Sequence, residues 1–296
     1  MKCVAVYNNK GGVGKSTVSL FLADFFATLK LAGKLARVLV IDLDAQNSCS
    51  NALLGVETVS EVRLNQQSIS HLLLKLGRKE KIGLDPFLIK RLKSSTPNRK
   101  KPLCELSVMM ADRDKTITFE KQCTKTGLKV FSNAIKTGIN KKFDFVFVDL
   151  PANIDERNKL SQLGLLLSDY ILVPTEPSRI AINSLPDTLK NIQNVSQLGK
   201  KDFQHPGSIG LLLNKTDKRT RQYKLHYKDL SEMASFNEIA IFKNFLPHSS
   251  TLCSASDDSI SFGSLKDRYD INYDHVRKVA MELAGKIGFQ QVTKKK

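Results

Sequence analysis

The 296-residue chain is 41% apolar and 25% charged, an ordinary soluble balance with material for one large α/β domain or two small ones. Lysine and arginine number 46 against 29 acidic residues, and the net charge of +17 points to a polyanionic partner, nucleic acid first, unless it reflects a lysine-rich composition alone. Five scattered cysteines without a C-x-x-C pair exclude a disulfide framework and a zinc site, and no apolar run approaches the roughly eighteen residues of a membrane span.

In chain order, the first apolar run, Cys3–Tyr7, is too short for a signal peptide and leads straight into a glycine-rich stretch. It reads as a strand, and a cytoplasmic location is expected. Ser16–Leu31 follows with Leu20, Ala23, Ala27 and Leu31 among its apolar positions, a helical pattern. Further strands are expected at Arg37–Leu43, Phe143–Leu150, Tyr170–Pro174, Ile209–Asn214 and Ile241–Leu246. Several are continuous Val/Ile/Leu/Phe runs, as parallel strands covered on both faces require. Strand and helix in alternation argue for an α/β fold, a doubly wound, mostly parallel sheet with helices on both faces. Residues 60–140 are less regular. The basic stretch Lys75–Pro102, with an exposed loop at Lys93–Pro102, reads as an insertion on the sheet, so that residues 1–296 are expected to form a single domain.

The glycine-rich stretch is Asn8-Asn9-Lys10-Gly11-Gly12-Val13-Gly14-Lys15-Ser16-Thr17. The common phosphate loop reads G-x-x-x-x-G-K-[ST]. Aligned on Gly14-Lys15-Ser16, this one carries Asn9 where glycine is usual and adds a second lysine, Lys10. It still lies between a strand and a helix, the context the chemistry needs: glycines let backbone N–H groups converge on phosphate oxygens, and the helix dipole favours the anion. Lys15 is placed for the β and γ phosphates of ATP, Ser16 for Mg2+, and Thr17 for the α phosphate. Two further strands end in carboxylates, Asp42 and Asp44 in "VLVIDLDAQNS" and Asp149 in "FDFVFVDLPAN". Carboxyl ends of parallel strands are where such sheets bind ligands, and Asp149 is suited to hold magnesium or its water.

These segments together resemble the deviant Walker A ATPases, most closely the ParA/Soj branch that partitions plasmids and chromosomes. The similarity extends through "YILVPTEPSRIAINSL", "LLLNKTDKRTRQYK" and "FLPHSSTLCSAS", and is weakest over residues 60–140. The resemblance implies a P-loop NTPase fold and slow, partner-stimulated ATP hydrolysis. It makes Lys10 the signature lysine that crosses to the other subunit's phosphates in an ATP-bound homodimer. Gly11, Gly12, Val13, Gly14, Lys15, Ser16 and Thr17 match the phosphate cradle, Asp44 the residue that positions the attacking water, and Asp149 the Walker B aspartate. Asp42 is implied near the magnesium, and Asn214 and the backbone around Pro247 near the adenine. Where the family often has proline, this chain has Ala45 and Ala152, changes that remove neither charge nor donor.

The family's DNA binding is nonspecific and depends on ATP-driven dimerisation. Here Lys215, Lys218, Arg219, Arg221, Lys224 and Lys228 form a short basic stretch suited to phosphate contacts that carry no sequence information. The expected partners are thus DNA, a second copy of the chain and a ParB-like protein that stimulates hydrolysis, in a nucleoid-associated setting. The alternative is a MinD-like positioning ATPase at a membrane, for which Val276, Val279, Ala280, Leu283 and Ile287 make a helical apolar stripe and Lys294–Lys296 a basic end. Such a stripe is more often core packing, and the basic end suits anionic lipid or DNA equally. An iron–sulfur relative is rejected because Cys104 and Cys123 lack glycine-rich surroundings. A small-molecule ligase on the same scaffold would turn over ATP without DNA.

Overall fold

The computed structural model describes residues 1–91, 105–152, 157–199, 208–257 and 264–289. Its elements in chain order are β1 (Lys2–Val6), α1 (Lys15–Phe26), β2 (Lys30–Leu31), β3 (Lys34–Leu35), β4 (Arg37–Asp42), α2 (Ser48–Leu54), α3 (Val56–Leu64), α4 (Ile69–Gly77), β5 (Ile89–Lys90) and β6 (Glu105–Met110). The second half adds α5 (Arg113–Gln122), α6 (Lys125–Ile139), β7 (Phe145–Asp149), α7 (Lys159–Leu167), β8 (Tyr170–Thr175), α8 (Arg179–Gly199), β9 (Ile209–Leu213), α9 (Arg221–Phe236), β10 (Ala240–Ile241), α10 (Ser250–Ser254), α11 (Leu265–Tyr269) and α12 (Tyr273–Lys286).

Eight strands form one sheet in the order β10-β9-β8-β1-β7-β4-β6-β5, parallel throughout except for the β5–β6 pair. The mostly parallel α/β sheet expected from the sequence is therefore present. Alternate residues of each strand serve opposite faces. Cys3, Ala5 and Tyr7 join α4, α6, α7 and α8 on one side, while Val4 and Val6 join α1, α2 and α12 on the other. Both faces are covered, which is why β1 and β4 read as unbroken apolar runs.

Three expectations are corrected. The strand expected over Ile241–Leu246 is ordered as strand only at Ala240–Ile241, because the backbone N–H groups of Lys243 and Asn244 turn away to donate to the Glu282 carboxylate of α12 at 2.8 and 2.9 Å. The helix expected to reach Leu31 stops at Phe26, and β2 and β3 close an antiparallel pair through Ala32 and Gly33. Both turn residues have positive φ, 48° and 87°, the geometry that matches a tight hairpin's twist. Within the less regular region lies an unforeseen strand, β6, paired to β4 from Arg37–Glu105 to Asp42–Met110. The basic loop Lys93–Pro102 lies outside the described residues.

The C-terminal apolar stripe is core. Val276, Val279, Ala280 and Leu283 are fully buried and Ile287 nearly so, packed with α1. Lys294–Lys296 lie outside the described residues, and among those described no helix is long and apolar enough to cross a membrane.

Candidate nucleotide site

The sheet's register sets the site. Val6, Asp149 and Asp42 occupy matched positions on the adjacent strands β1, β7 and β4. The chain leaving β1 and both carboxylates therefore emerge at one edge. From there Asn8 to Gly14 turn into α1, with Gly12 and Gly14 at φ 76° and 84°. Gly14 is the N-cap of α1, and its carbonyl accepts from Val18 N at 2.9 Å. A β-carbon at Gly14 would collide with Asn214 Nδ2, so glycine is required there both for its backbone angle and for this close approach.

Neighbouring elements hold the loop by its own polar groups. Asn8 Nδ2 donates to the Pro174 carbonyl at 2.7 Å, and Asn8 Oδ1 accepts from Lys10 N at 2.8 Å. Thr188 of α8 receives Asn9 N at 3.1 Å. From the end of β9, Asn214 Nδ2 donates to the Val13 carbonyl at 2.7 Å and Lys215 Nζ to the Gly12 carbonyl at 2.6 Å. The Leu246–Pro247 segment lies beside this strand end, since Thr216 N donates to the Leu246 carbonyl at 3.0 Å. The structure thus brings Asn214 against the loop, and the Pro247 neighbourhood beside the same strand end.

The lysines differ in setting. Lys15 is buried, with Nζ donating to the Lys10 carbonyl at 3.1 Å. Burial lowers its proton affinity, against the fields of Asp149 and Asp44. Lys10 sits nearer the surface, and its ammonium reaches Glu176 Oε2 at 3.4 Å. Lys215 Nζ approaches the other oxygen of Glu176 at 3.6 Å. Glu176 follows β8 directly and was not singled out in sequence. A lone glutamate in "PTEPS" gives no sign that two lysines from distant segments converge on it.

The carboxylates also divide. Asp42 is fully buried and saturated: Oδ2 accepts from Ser50 N at 2.8 Å and Ser50 Oγ at 2.6 Å, and Oδ1 from Asp44 N at 3.2 Å. Asp149, equally buried, accepts from Ser19 Oγ at 2.8 Å through Oδ1, while its Oδ2 has no hydrogen-bond partner. Burial pushes both groups above the usual carboxylate range, and for Asp149 the neighbouring Asp42 adds to it. Asp44 is only half-buried, with Oδ1 taken by Gln46 N at 2.9 Å. Ser16 lies close enough to Asp149 to favour its ionised form. A buried carboxylate oxygen without a donor, crowded by a second carboxylate and adjoining a serine hydroxyl, fits a divalent cation.

The basic stretch does not behave as a unit. Arg219 pairs its guanidinium with both oxygens of Asp217, at 3.0 and 2.9 Å. Lys218 lies over the Phe245 ring at 4.4 Å, and Lys228 reaches Glu232 at 3.8 Å along α9. Arg221 and Lys224 are exposed at the start of α9. Lys215, expected with the DNA set, faces the phosphate loop.

Comparison with known proteins agrees with the fold. Residues 1–205 match the family model described as an AAA domain. The sporulation initiation inhibitor protein Soj of Bacillus subtilis is 24% identical over 255 residues, covering 86% of this chain and 87% of Soj. Among solved structures, the ATP complex of a Cyanothece McdA variant superposes with a TM-score of 0.72 at 18% identity, covering 99% of each chain. A plasmid partition protein from Borrelia burgdorferi B31 bound to AMPPNP gives a TM-score of 0.66 at 18% identity, over 95% of this chain and 99% of that one.

Proposed function

Because the chain belongs to this AAA-domain family, as a P-loop ATPase of the partitioning type in the ParA/MinD superfamily, we propose that it is an ATP-switched DNA-segregation or positioning protein. Residues 1–296 act as one ATPase domain. ATP is held by Gly11–Thr17, with Asn214 and the backbone near Pro247 at the base. Mg2+ is held by Ser16 with Asp149, and Asp42 orients the edge through its bonds to α2. The metal supplies charge neutralisation at the phosphates. Lys15 binds the transferring phosphate, Asp44 positions water, and Lys10 completes the site of a second subunit. The ATP-bound homodimer binds DNA without sequence preference through Lys218, Arg219, Arg221 and Lys224, and a ParB-like partner stimulates hydrolysis. The setting is cytoplasmic and nucleoid-associated.

The observation that carries this reading is the division between the lysines. Lys15 is buried with its ammonium on its own loop, whereas Lys10 reaches beyond the loop to Glu176, with 23% of its side chain exposed. A lysine in that position adds little to its own subunit's phosphates and is available to another's. The test is binding of a random-sequence duplex with and without ATP across a salt series. ATP should strengthen binding, the affinity should fall steeply as salt rises, and Lys10→Ala should keep nucleotide affinity but lose the ATP effect. Binding that ignores both ATP and salt would sink the proposal.

A further inference from the structure

We propose that Lys215 is a positioning residue of the phosphate loop and not a DNA contact. This rests on the reading of that loop as the nucleotide site, and assigns to it a residue from a segment that otherwise reads as a basic surface. Three observations converge. The ammonium donates to the Gly12 carbonyl at 2.6 Å, across a chain separation of 203 residues. It also faces Glu176 Oε1 at 3.6 Å, the carboxylate that holds Lys10. And Lys215 adopts φ 50°, left-handed backbone uncommon for a lysine, with its N–H donating to Asn214 Oδ1 at 2.9 Å.

The physical role follows from peptide geometry. In a trans peptide the C=O of one residue and the N–H of the next point in opposite directions. Lys215 holds the Gly12 carbonyl, and Asn214 holds the Val13 carbonyl. The N–H groups of Val13 and Gly14 are therefore aimed toward the opposite face of the loop, where converging amides bind an anion. Asn214 and Lys215 are a paired clamp that preorganises the donors before nucleotide arrives. What sets the Lys215 ammonium apart from Lys10 and Arg219 is its bond to a backbone carbonyl of the loop itself, made besides its approach to the carboxylate. The exposed Arg221 and Lys224 carry no such internal contact to the loop.

Lys215→Met keeps the apolar stem and removes the charge. Fluorescent ADP with Mg2+ should bind this variant about tenfold more weakly than wild type. Lys215→Arg, which can still donate to Gly12, should recover most of that loss. The salt dependence of duplex binding at saturating ATP should be the same in wild type and Lys215→Met, because a lost phosphate contact would reduce the log–log slope by ~0.9. A merely structural role would lower the melting temperature of both variants without separating them in ADP affinity, and would overturn the assignment. So would ADP affinity within twofold of wild type, or a slope reduced by about 0.9. A wild-type chain that binds no ADP overturns the nucleotide reading and this one with it. One that binds ADP but no DNA removes only the DNA reading, and the ADP comparison still decides Lys215.

Discussion

Gly14→Ala probes the point where the loop, α1 and β9 meet. At φ 84° an alanine is forced into left-handed backbone, which costs about 1–2 kcal/mol. Its β-carbon would also strike Asn214 Nδ2, which donates to the Val13 carbonyl at 2.7 Å. Val13 is fully buried, so losing that donor leaves a carbonyl short of a partner, at about 1–3 kcal/mol. The combined cost is about 2–5 kcal/mol, and the molecule can take it in either of two ways. If the loop keeps its shape, the unfolding free energy falls by that amount. If the loop yields, stability is spared and nucleotide affinity falls instead, tenfold for every ~1.4 kcal/mol. Urea unfolding without nucleotide, paired with fluorescent ADP titration, measures both shares. Their sum should reach at least ~2 kcal/mol. A variant within about 0.5 kcal/mol of wild type in unfolding and unchanged in ADP affinity would refute the strain and the collision together.

Two other perturbations test buried charges. Asp24 of α1 is fully buried between Arg91 and Arg268, with Tyr269 donating to it at 3.1 Å. Burial alone would raise its pKa, but the two guanidiniums win and hold it below the usual value. A depressed carboxylate stabilises the fold above its unfolded pKa, near pH ~4, and that contribution is lost as pH falls through the folded value. Asp24→Asn should therefore cost about 3–5 kcal/mol at neutral pH, by removing the buried negative charge that both guanidiniums face, and should flatten the acid limb of a stability–pH profile measured by urea unfolding. Asp149→Asn should act oppositely in EDTA, raising the thermal midpoint by removing a desolvated carboxylate that faces Asp42, while abolishing any Mg2+-dependent stabilisation by nucleotide. A midpoint unchanged in EDTA, with the Mg2+ effect intact, would remove Asp149 from the cation site.

Local patterning determined much of this protein. Unbroken apolar runs marked β1, β4, β7, β8 and β9 because strands covered on both faces have no polar side to show. Gly11–Thr17 between a strand and a helix marked the phosphate loop, and acidic residues after apolar runs marked the edge that β4 and β7 share. β6 escaped because "ELSVMM" is short, follows a dense basic stretch, and contains Ser107, a buried serine between Leu106 and Val108. The end of the strand expected at Ile241–Leu246 escaped because its N–H groups go to Glu282, a partner 38 and 39 residues away. Nor could sequence separate Lys215 from its basic neighbours, because charge type and spacing say nothing of direction. Only the tertiary structure decided that Lys10 and Lys215, far apart in the chain, meet on Glu176. It also decided that Asp149 keeps a buried oxygen without a donor while Asp42 commits both of its own to α2 and the backbone. Periodicity is a property of neighbouring residues and survives in the sequence, whereas a charge's function depends on which distant carbonyl or carboxylate the sheet order sets against it.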